Sequence, residues 1–161
     1  MSWDFFYIFE VQIKLNMKKT LLFSILSFLF VSFTYAQSYK IEGKWYNEEK
    51  DAIITIYKAG TYYAGKITWM KFPNDRNGNP KTDPENPDVN KQSRNRLGMI
   101  IMYGFSYKGN DKWSDGEIYD PKSGKTYSGN IKLNGKNKLD LRGYVGISWI
   151  GRTSEWTRKT N

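Results

Sequence analysis

The side chains that this chain lacks restrict the chemistry it can perform. Its 161 residues include no histidine and no cysteine. The commonest general base and the usual protein ligands of zinc and copper are therefore missing. Disulfides cannot form either, so the fold must be stabilised by packing. These absences exclude many enzyme classes, and we expect no cofactor.

Carboxylates are the remaining side chains with catalytic potential. Asp115 and Glu117 alternate along a predicted strand and share one of its faces, and Asp120 follows. Two carboxylates can supply the acid and base roles of glycoside hydrolysis. Alternating acids on the outer face of a barrel are the commoner explanation of this spacing. We assign no catalytic residue and keep a hydrolase using these acids as the least favoured hypothesis.

Two segments partly match known ligand-binding loops. Asp75, Asn77 and Asn79 fit the first three ligands of a calcium loop, but its sixth and twelfth positions are proline and asparagine. Loose calcium binding there is a minor alternative to our expectation of no metal site. Gly124-Lys125-Thr126 resembles the end of a phosphate-binding loop, but Tyr119 stands where the leading glycine is required. We interpret this second segment as a hairpin turn.

The elements that position these residues are predicted to be strands. From Gly43 onward, short runs rich in Tyr, Ile, Trp and Thr alternate with clusters of Gly, Asn, Asp and Pro. Short links favour antiparallel neighbours, and eight strands can close into a barrel without free edges. We therefore predict an all-β fold, an eight-stranded antiparallel up-and-down barrel. The predicted strands are Gly43 to Asn47, Ala52 to Lys58, Tyr62 to Lys71, Leu97 to Tyr107, Lys112 to Asp120, Lys125 to Leu133, Lys138 to Tyr144 and Arg152 to Lys159.

One long loop interrupts the meander after the third strand. The segment from Phe72 to Arg96 contains four prolines and has no convincing period. Connections of this length are usually functional lids, Ω-loops or disordered segments. Within it we predict a short helix near Asp88 to Arg94, with Asp88 as its cap.

Alternation along the strands suggests which residues face inward. Tyr63, Gly65, Ile67 and Trp69 are expected on one face of the third strand. Four glycines lie in the middle of strands, where they indicate either sharp bending of the barrel or space for a ligand. They are Gly65, Gly116, Gly129 and Gly143.

A ligand site in such a barrel would combine aromatic walls with a few polar groups. Packing in the core is the alternative role for each aromatic. Arg94 and Arg96, beside the long loop, could bind a carboxylate or phosphate, or could pair with acids of the same loop. The candidate walls are Tyr63, Trp69, Tyr103, Tyr119 and Tyr127, and the candidate polar contacts are Asp88, Arg94, Arg96 and Arg142.

The N-terminal region has the parts of a secretory leader. Lys18 and Lys19 precede an apolar run from Leu21 to Phe33, and the segment ends in Thr34-Tyr35-Ala36. We predict cleavage between Ala36 and Gln37 and export to the periplasm or medium. The apolar run is shorter than the roughly 20 residues that cross a bilayer, so no permanent anchor is expected. We interpret residues 1–16 as a misassigned extension, residues 17–36 as the signal peptide and residues 37–161 as one domain.

The net charge of +9 would suit an anionic partner. The Lys and Arg residues are scattered across hairpins, however, and no long cationic block occurs. We expect a solvated surface and no nucleic-acid partner, and the sequence does not predict an oligomeric state.

Gly43-Lys44-Trp45 in the first strand and Trp156-Thr157-Arg158 in the last resemble lipocalins. In that family the tryptophan plugs one end of the barrel beneath an arginine of the final strand. The resemblance implies structural roles for Gly43, Trp45, Trp156 and Arg158, with the guanidinium of Arg158 stacked on Trp45.

Several further blocks extend the resemblance over nearly all of residues 37–161. The chain is similar to the uncharacterised exported bacterial family labelled domain of unknown function 2147, which implies a leader, a lipocalin-like barrel and no established reaction. The blocks are Tyr63-Ala64-Gly65-Lys66-Ile67, Asn86-Pro87-Asp88, the run from Gly116 to Tyr127, and the run from Leu141 to Gly146.

Two functional hypotheses rank above the hydrolase. In the first, the barrel binds a small amphipathic or anionic molecule under the long loop. In the second, the protein is a structural or interaction protein of the envelope, and its own side chains fill the barrel.

Overall fold

The structure is a computed structural model, and it describes Met17 and residues 39–147 and 150–160. The chain divides into two units, Met1–Gln37 and Ser38–Asn161. The predicted extension and signal peptide, residues 1–36, lie outside the described residues except for Met17. Within the described ranges, no helix has the length and apolar character required to span a bilayer.

Eight antiparallel strands form a closed barrel in the second unit. Each strand pairs with the next along the chain, and the last pairs with the first. The predicted fold class is therefore confirmed, including the long loop after the third strand. The strands are β1 (Gly43–Tyr46), β2 (Ala52–Ala59), β3 (Tyr62–Met70), β4 (Ile100–Tyr107), β5 (Lys112–Asp120), β6 (Lys125–Leu133), β7 (Lys138–Tyr144) and β8 (Gly151–Arg158), and 3₁₀ helices span Tyr39–Ile41 and Val89–Lys91.

The fourth strand begins later than the sequence suggested, at Ile100 instead of Leu97. Gly98 has a φ of 88°, a left-handed conformation that glycine adopts without steric cost. The amide of Met99 donates to the carbonyl of Arg96 at 3.1 Å, which closes a turn. This turn ends the long loop and displaces the start of β4.

One end of the barrel, which we call the closed end, is filled by side chains. The turns at residues 60–61, 108–111 and 134–137 lie there, together with the helix Tyr39–Ile41. The interior of this half is a core in which every large side chain is nearly inaccessible to solvent. The core residues include Ile41, Trp45, Ile56, Tyr63, Met102, Phe105, Trp113, Ile131, Leu133 and Leu139.

Trp45 and Arg158 seal the closed end. Trp45 is fully buried, and its Nε1 donates to the carbonyl of Ile41 at 2.8 Å. The guanidinium of Arg158 lies 4.1 Å from the centroid of the Trp45 ring and donates to the carbonyl of Glu42 at 2.7 Å. Gly43 has a φ of 122°, which other residues rarely adopt, and a Cβ there would lie 2.8 Å from Nη1 of Arg158, so this position favours glycine. The structure thus contains the stack that the lipocalin resemblance implies.

A β-bulge reverses the expected orientation near the end of β3. Ile53 of β2 pairs with Trp69, whereas the next residue, Ile54, pairs with Ile67, so β3 carries one extra residue. An extra residue shifts the following side chain to the opposite face of the sheet. Trp69 consequently lies outside the barrel, edge-on to Tyr46 with 6.2 Å between ring centroids. Strict alternation is therefore wrong at Trp69.

Three of the four mid-strand glycines make room for core side chains. A Cβ on Gly129 would lie 2.6 Å from the ring of Phe105, and one on Gly116 would overlap that ring. A Cβ on Gly65 would lie 3.0 Å from the sulfur of Met102. Gly143 differs, because the nearest atom to a Cβ there is 3.6 Å away. The space at the first three positions is used by the core and not by a ligand.

The segment between β3 and β4, residues 71–99, is an ordered lid. Bridges between Asn74 and Pro80 and between Thr82 and Asn95 connect its parts. The predicted helix is shorter than expected, a single 3₁₀ turn at Val89–Lys91 that Asp88 caps by accepting from the amide of Asn90. The lid lies at the end of the barrel opposite the closed end, which we call the open end, beside loops 47–51 and 121–124 and the described residues, 145–147 and 150, of the link between β7 and β8.

Candidate functional site

The open half of the barrel contains a cavity of about 560 Å³. Its walls are inward-facing strand residues, and its mouth lies among the lid and the three open-end loops. Leu141 and Trp156 belong both to the core and to this lining, so they form its floor. The other principal wall residues are Ile54, Ile67, Ile118 and Tyr127.

Gly143 enlarges the cavity on the β7 side. It borders the cavity, and ordinary van der Waals space surrounds the position where a Cβ would stand. Its neighbour Tyr144 also contributes to the lining. A larger residue at position 143 would therefore occupy ligand space without meeting the backbone.

Charged residues surround the mouth, and only some of them form ion pairs with one another. Arg152 contacts Glu48 at 2.6 Å, and Lys122 lies 3.8 Å from Asp51. The full charged set of the lining is Glu48, Glu49, Asp51, Asp120, Lys81, Arg96, Lys122 and Arg152.

The two lid cations of this set, Lys81 and Arg96, have no carboxylate partner within the described ranges. The Nε of Arg96 donates to the carbonyl of Thr82 at 2.6 Å, which orients the guanidinium. The Nζ of Lys81 lies 5.9 Å from the ring centroid of Phe72. The lid side of the mouth therefore presents two cationic groups that form no ion pair with the described residues, although Glu48, Glu49, Asp51 and Asp120 line the same mouth.

A buried carboxylate organises the lid. Asp83 is completely inaccessible to solvent. It accepts hydrogen bonds from the Tyr119 hydroxyl at 2.8 Å, from Nδ2 of Asn86 at 2.7 Å and from Nε of Arg94 at 3.0 Å. Nη2 of Arg94 lies 2.9 Å from the same carboxylate. Burial of a carboxylate is tolerated when its charge is paired and its oxygens are hydrogen-bonded, as they are here.

Tyr119 joins this network to the cavity. Its ring lies 5.2 Å from the guanidinium carbon of Arg94, and the residue lines the cavity. Burial raises the pKa of the Tyr119 hydroxyl above its ordinary value, and the hydrogen bond to Asp83 raises the pKa further. The hydroxyl therefore stays protonated and continues to donate to Asp83 at neutral pH.

The turn between β5 and β6 fastens the lid to the barrel wall. Gly124 has a φ of 69°, and a Cβ at this position would overlap the carbonyl oxygen of Glu85. Only glycine lets the lid backbone approach the turn this closely. The glycine interpreted from the sequence as part of a hairpin turn thus also provides a contact surface for the lid.

The predicted ligand residues divide into three groups in the structure: residues that line the cavity, residues that stabilise the lid, and residues that lie away from the cavity. Tyr119, Tyr127 and Arg96 line the cavity, as does Trp156 from the predicted structural set. Arg94 lies in the Asp83 network and stabilises the lid.

Asp88 is a helix cap in the lid. It pairs with Lys91 at 3.1 Å, and a hydrogen bond from that lysine is the main reason that the Asp88 pKa is lowered.

The third group lies away from the cavity. Tyr63 packs edge-on against Trp113 in the filled half. Trp69 is on the outer face because of the bulge in β3. Tyr103 is also outside, 5.0 Å from the ring of Tyr62. Arg142 donates to the Thr153 hydroxyl at 3.0 Å between exposed side chains.

The acids considered for hydrolysis do not converge. Asp115 is exposed and contacts Lys108 at 2.5 Å, and the hydrogen bond from that lysine lowers the pKa of Asp115. Glu117 is exposed on the same strand, whereas Asp120 lies at the cavity mouth. Asp120 accepts from the amide of Lys122 at 2.9 Å and stabilises the turn. The structure does not bring these three acids together into an acid and base pair.

The calcium-like segment forms an ordinary turn. Oδ1 of Asp75 accepts from the amides of Asn77 and Asn79 at 2.8 and 2.9 Å. Across the part of the chain that the structure describes, no cluster of three or more acidic side chains is arranged to hold a metal ion.

Sequence reasoning missed several residues of the site. Asp83 and Lys81 lie in an aperiodic polar loop, where nothing in the residue pattern marks one position as buried or cavity-facing. Asn86 belongs to a block noted for its family resemblance, but its bonds to Asp83 and to Tyr119, 33 residues away, become visible only in the fold. Tyr144 was overlooked because it follows a glycine at the end of β7.

Comparison with known proteins gives one family and one solved structure. Residues 43–158 match the family described as "Uncharacterized protein conserved in bacteria (DUF2147)". Protein HP1028 from the human pathogen Helicobacter pylori, described as belonging to the lipocalin family, has a similar structure with a TM-score of 0.65 and 18% sequence identity. The alignment covers 75% of this chain and 84% of HP1028. No curated protein matches the chain.

At this identity, the likeness to HP1028 concerns the fold. It agrees with the closed eight-stranded barrel, so the lipocalin-like architecture is confirmed. The family match covers most of the chain, from the first strand of the barrel to the last. The chain therefore belongs to the bacterial DUF2147 family.

Proposed function

We propose that this protein binds a small amphipathic molecule, with its apolar part in the barrel and an anionic group at Lys81 and Arg96. The observation that carries the proposal is a lined cavity in the open half of the barrel. The closed half is filled by its own side chains, whereas the open half encloses about 560 Å³.

The size and lining of the cavity support a small-molecule ligand. Small-molecule sites are typically about 300–1,000 Å³, mostly apolar, with a few polar groups that fix orientation. At roughly 30 Å³ per water, this cavity would otherwise hold on the order of 18 water molecules against isoleucine, leucine and aromatic walls. Replacing that water with an apolar ligand is favourable.

The charges at the mouth support an anionic group on the ligand. Lys81 and Arg96 have no carboxylate partner in the described part of the chain, and the contact of Arg96 with Thr82 occupies only one of its donors. A planar guanidinium with remaining donors suits a carboxylate, sulfonate or phosphate. Arg94, the other candidate, is already satisfied by Asp83.

Two fluorescent probes test this proposal: the anionic 1-anilinonaphthalene-8-sulfonate and the neutral N-phenyl-1-naphthylamine. We expect saturable binding of both at one site per chain. Gly143→Leu should fill part of the cavity and weaken the binding of both probes about tenfold or more. The leucine would prevent burial of the apolar ring system of each probe, and the free energy of that burial exceeds about 1.4 kcal/mol. Arg96→Gln should weaken the sulfonate by about tenfold and leave the neutral probe unchanged.

Matched controls place the same changes outside the cavity. Ser128→Leu adds a leucine to the exposed face of the neighbouring strand, and Arg76→Gln removes an exposed lid cation. Both should bind as the unaltered protein does. If Gly143→Leu fails to fold, Ser154→Leu provides a second way to fill the cavity. Equal affinity of both filled variants and the unaltered protein for both probes would refute the proposal.

We also propose that the protein is exported. The basis is the leader-like pattern of residues 17–36, which ends in Thr34-Tyr35-Ala36. N-terminal sequencing of the protein isolated from its host should begin at Gln37. A retained Met1 or Met17 would contradict the proposed cleavage.

A further inference from the structure

Large exposed apolar side chains are concentrated at the open end. Val145, Ile147 and Ile150, in the loop between β7 and β8, are 67%, 61% and 69% exposed. Phe72 and Leu97, near the two ends of the lid, are 63% and 50% exposed. Contiguous exposed apolar surface of this kind marks an interaction site more often than ordinary surface.

The closed end has the opposite character. Its three turns are built from Gly, Asn, Asp, Lys and Thr, and none of them holds a large exposed apolar side chain. The apolar rim is therefore a property of one pole, the pole into which the cavity opens. Phe72, Val145 and Ile150 belong to the rim and also line the cavity, so the apolar surface continues from the rim into the barrel.

Cations accompany the apolar rim on the lid side. Lys71 lies 5.5 Å and Lys81 5.9 Å from the ring centroid of Phe72, and Arg96 directly precedes Leu97. In the described part of the chain, none of these three cations pairs with a carboxylate. Exposed aliphatic and aromatic side chains flanked by Lys and Arg that form no ion pair are typical of surfaces that bind the interface of an anionic bilayer.

We infer that the open end docks on an anionic lipid bilayer, with the rim residues Phe72, Leu97, Val145, Ile147 and Ile150 at the level of the headgroups. Charge complementarity favours this occupant over a second copy of the chain, because a chain with a net charge of +9 repels its own copies and is attracted to an anionic surface. The role that we infer for docking rests on the proposed function. A mouth docked on the bilayer would let an amphipathic ligand pass between the bilayer and the barrel without crossing water.

Site-specific labelling tests the orientation. The chain has no cysteine, so a single introduced cysteine can carry an environment-sensitive fluorophore. We expect labelled Ile147→Cys to shift to shorter emission wavelength with vesicles of phosphatidylglycerol and phosphatidylcholine, and to shift less with phosphatidylcholine alone. Labelled Lys136→Cys at the closed end should not shift. Equal shifts at both positions, or none at position 147, would overturn the inference.

Variants separate docking from ligand binding. Leu97→Ser combined with Ile147→Ser removes two rim residues that do not line the cavity. This pair should weaken sedimentation with anionic vesicles about tenfold, whereas Tyr103→Ser, which removes an exposed aromatic from the outer wall, should not. Raising the salt concentration should also weaken the binding of the unaltered protein to anionic vesicles.

The two proposals fail differently. Gly143→Leu should keep vesicle binding and lose probe binding, and the rim pair should show the reverse. Vesicle binding that is unchanged in the rim pair would refute docking even if the probes bind. A dimer in sedimentation equilibrium that the rim pair dissociates would assign the rim to a second copy and overturn the inference as well.

Discussion

Removing the Asp83 carboxylate should show how strongly the lid is held. Asp83→Ala takes the acceptor away from three donors, the Tyr119 hydroxyl, the Asn86 amide and the Arg94 guanidinium. No described side chain replaces it, and the position is fully buried. The cavity mouth should therefore be destabilised while the barrel strands stay paired.

The size of the effect follows from the burial of each donor. Breaking a buried ion pair by removing one partner costs about 3–5 kcal/mol. Here the Arg94 side chain is 38% exposed and can partly rehydrate, which reduces that cost. The amide and the hydroxyl remain largely buried, and each unsatisfied donor costs about 1 kcal/mol or more. We expect a total loss of about 2–4 kcal/mol.

Denaturant unfolding and hydrogen exchange measure this loss. If the lid unfolds together with the barrel, the free energy of unfolding should fall by that amount. If the lid opens separately, the amides of residues 81–96 should exchange faster while those of β6 and β7 do not. Asp88→Ala serves as the control, because loss of this exposed cap should lower the free energy of unfolding less than loss of the buried Asp83 carboxylate does. An unfolding free energy within about 0.5 kcal/mol of the original, together with unchanged lid exchange, would refute the network as the element that holds the lid.

Two further predictions concern the barrel itself. Gly129→Ala should destabilise the protein by about 1–3 kcal/mol in thermal or denaturant unfolding, because its Cβ would meet the ring of Phe105. The matched change Gly143→Ala should be tolerated, and equal effects at the two positions would contradict the packing described. NMR titration should give Asp115 a pKa below its ordinary value, and Lys108→Gln should raise it. The pKa of Asp115 is lower in the folded state than in the unfolded state. The contact with Lys108 therefore stabilises the fold at pH values above the unfolded-state pKa, and this stabilisation is lost as pH falls through the folded-state pKa. An unchanged Asp115 titration in Lys108→Gln would exclude the lysine as the cause.

The sequence predicted the strands well because their signals are local. Turn residues such as Gly60 and Gly135 and the runs between them depend on neighbours within a few positions, and the observed strand ends agree closely with the expected ones. The single larger displacement, at the start of β4, came from Gly98, whose turn conformation interrupts a run that is otherwise apolar. The seal of Trp45 and Arg158 was predictable from a family resemblance, since spacing alone does not bring the two ends of a chain together.

The candidate site was only partly predictable. Tyr119, Tyr127 and Arg96 line the cavity as expected, but Trp69 was assigned to the wrong face because a single extra residue in β3 reverses every later position. No periodic pattern announces such a bulge. Arg94 was expected to contact either a ligand or an acid of its own loop, and the acid proved to be Asp83, 11 residues away.

The sequence by itself determined that this is a cysteine-free chain of eight short strands joined by tight turns and one long polar loop, because residue type and local spacing are sufficient for those features. Only the tertiary structure decided which half of the barrel is full and which is open. Whether a glycine accommodates Phe105 or borders a cavity, and whether an aspartate in a loop is solvated or buried beneath Tyr119, depends on side chains from strands far apart in the chain. Barrel closure brings those side chains together.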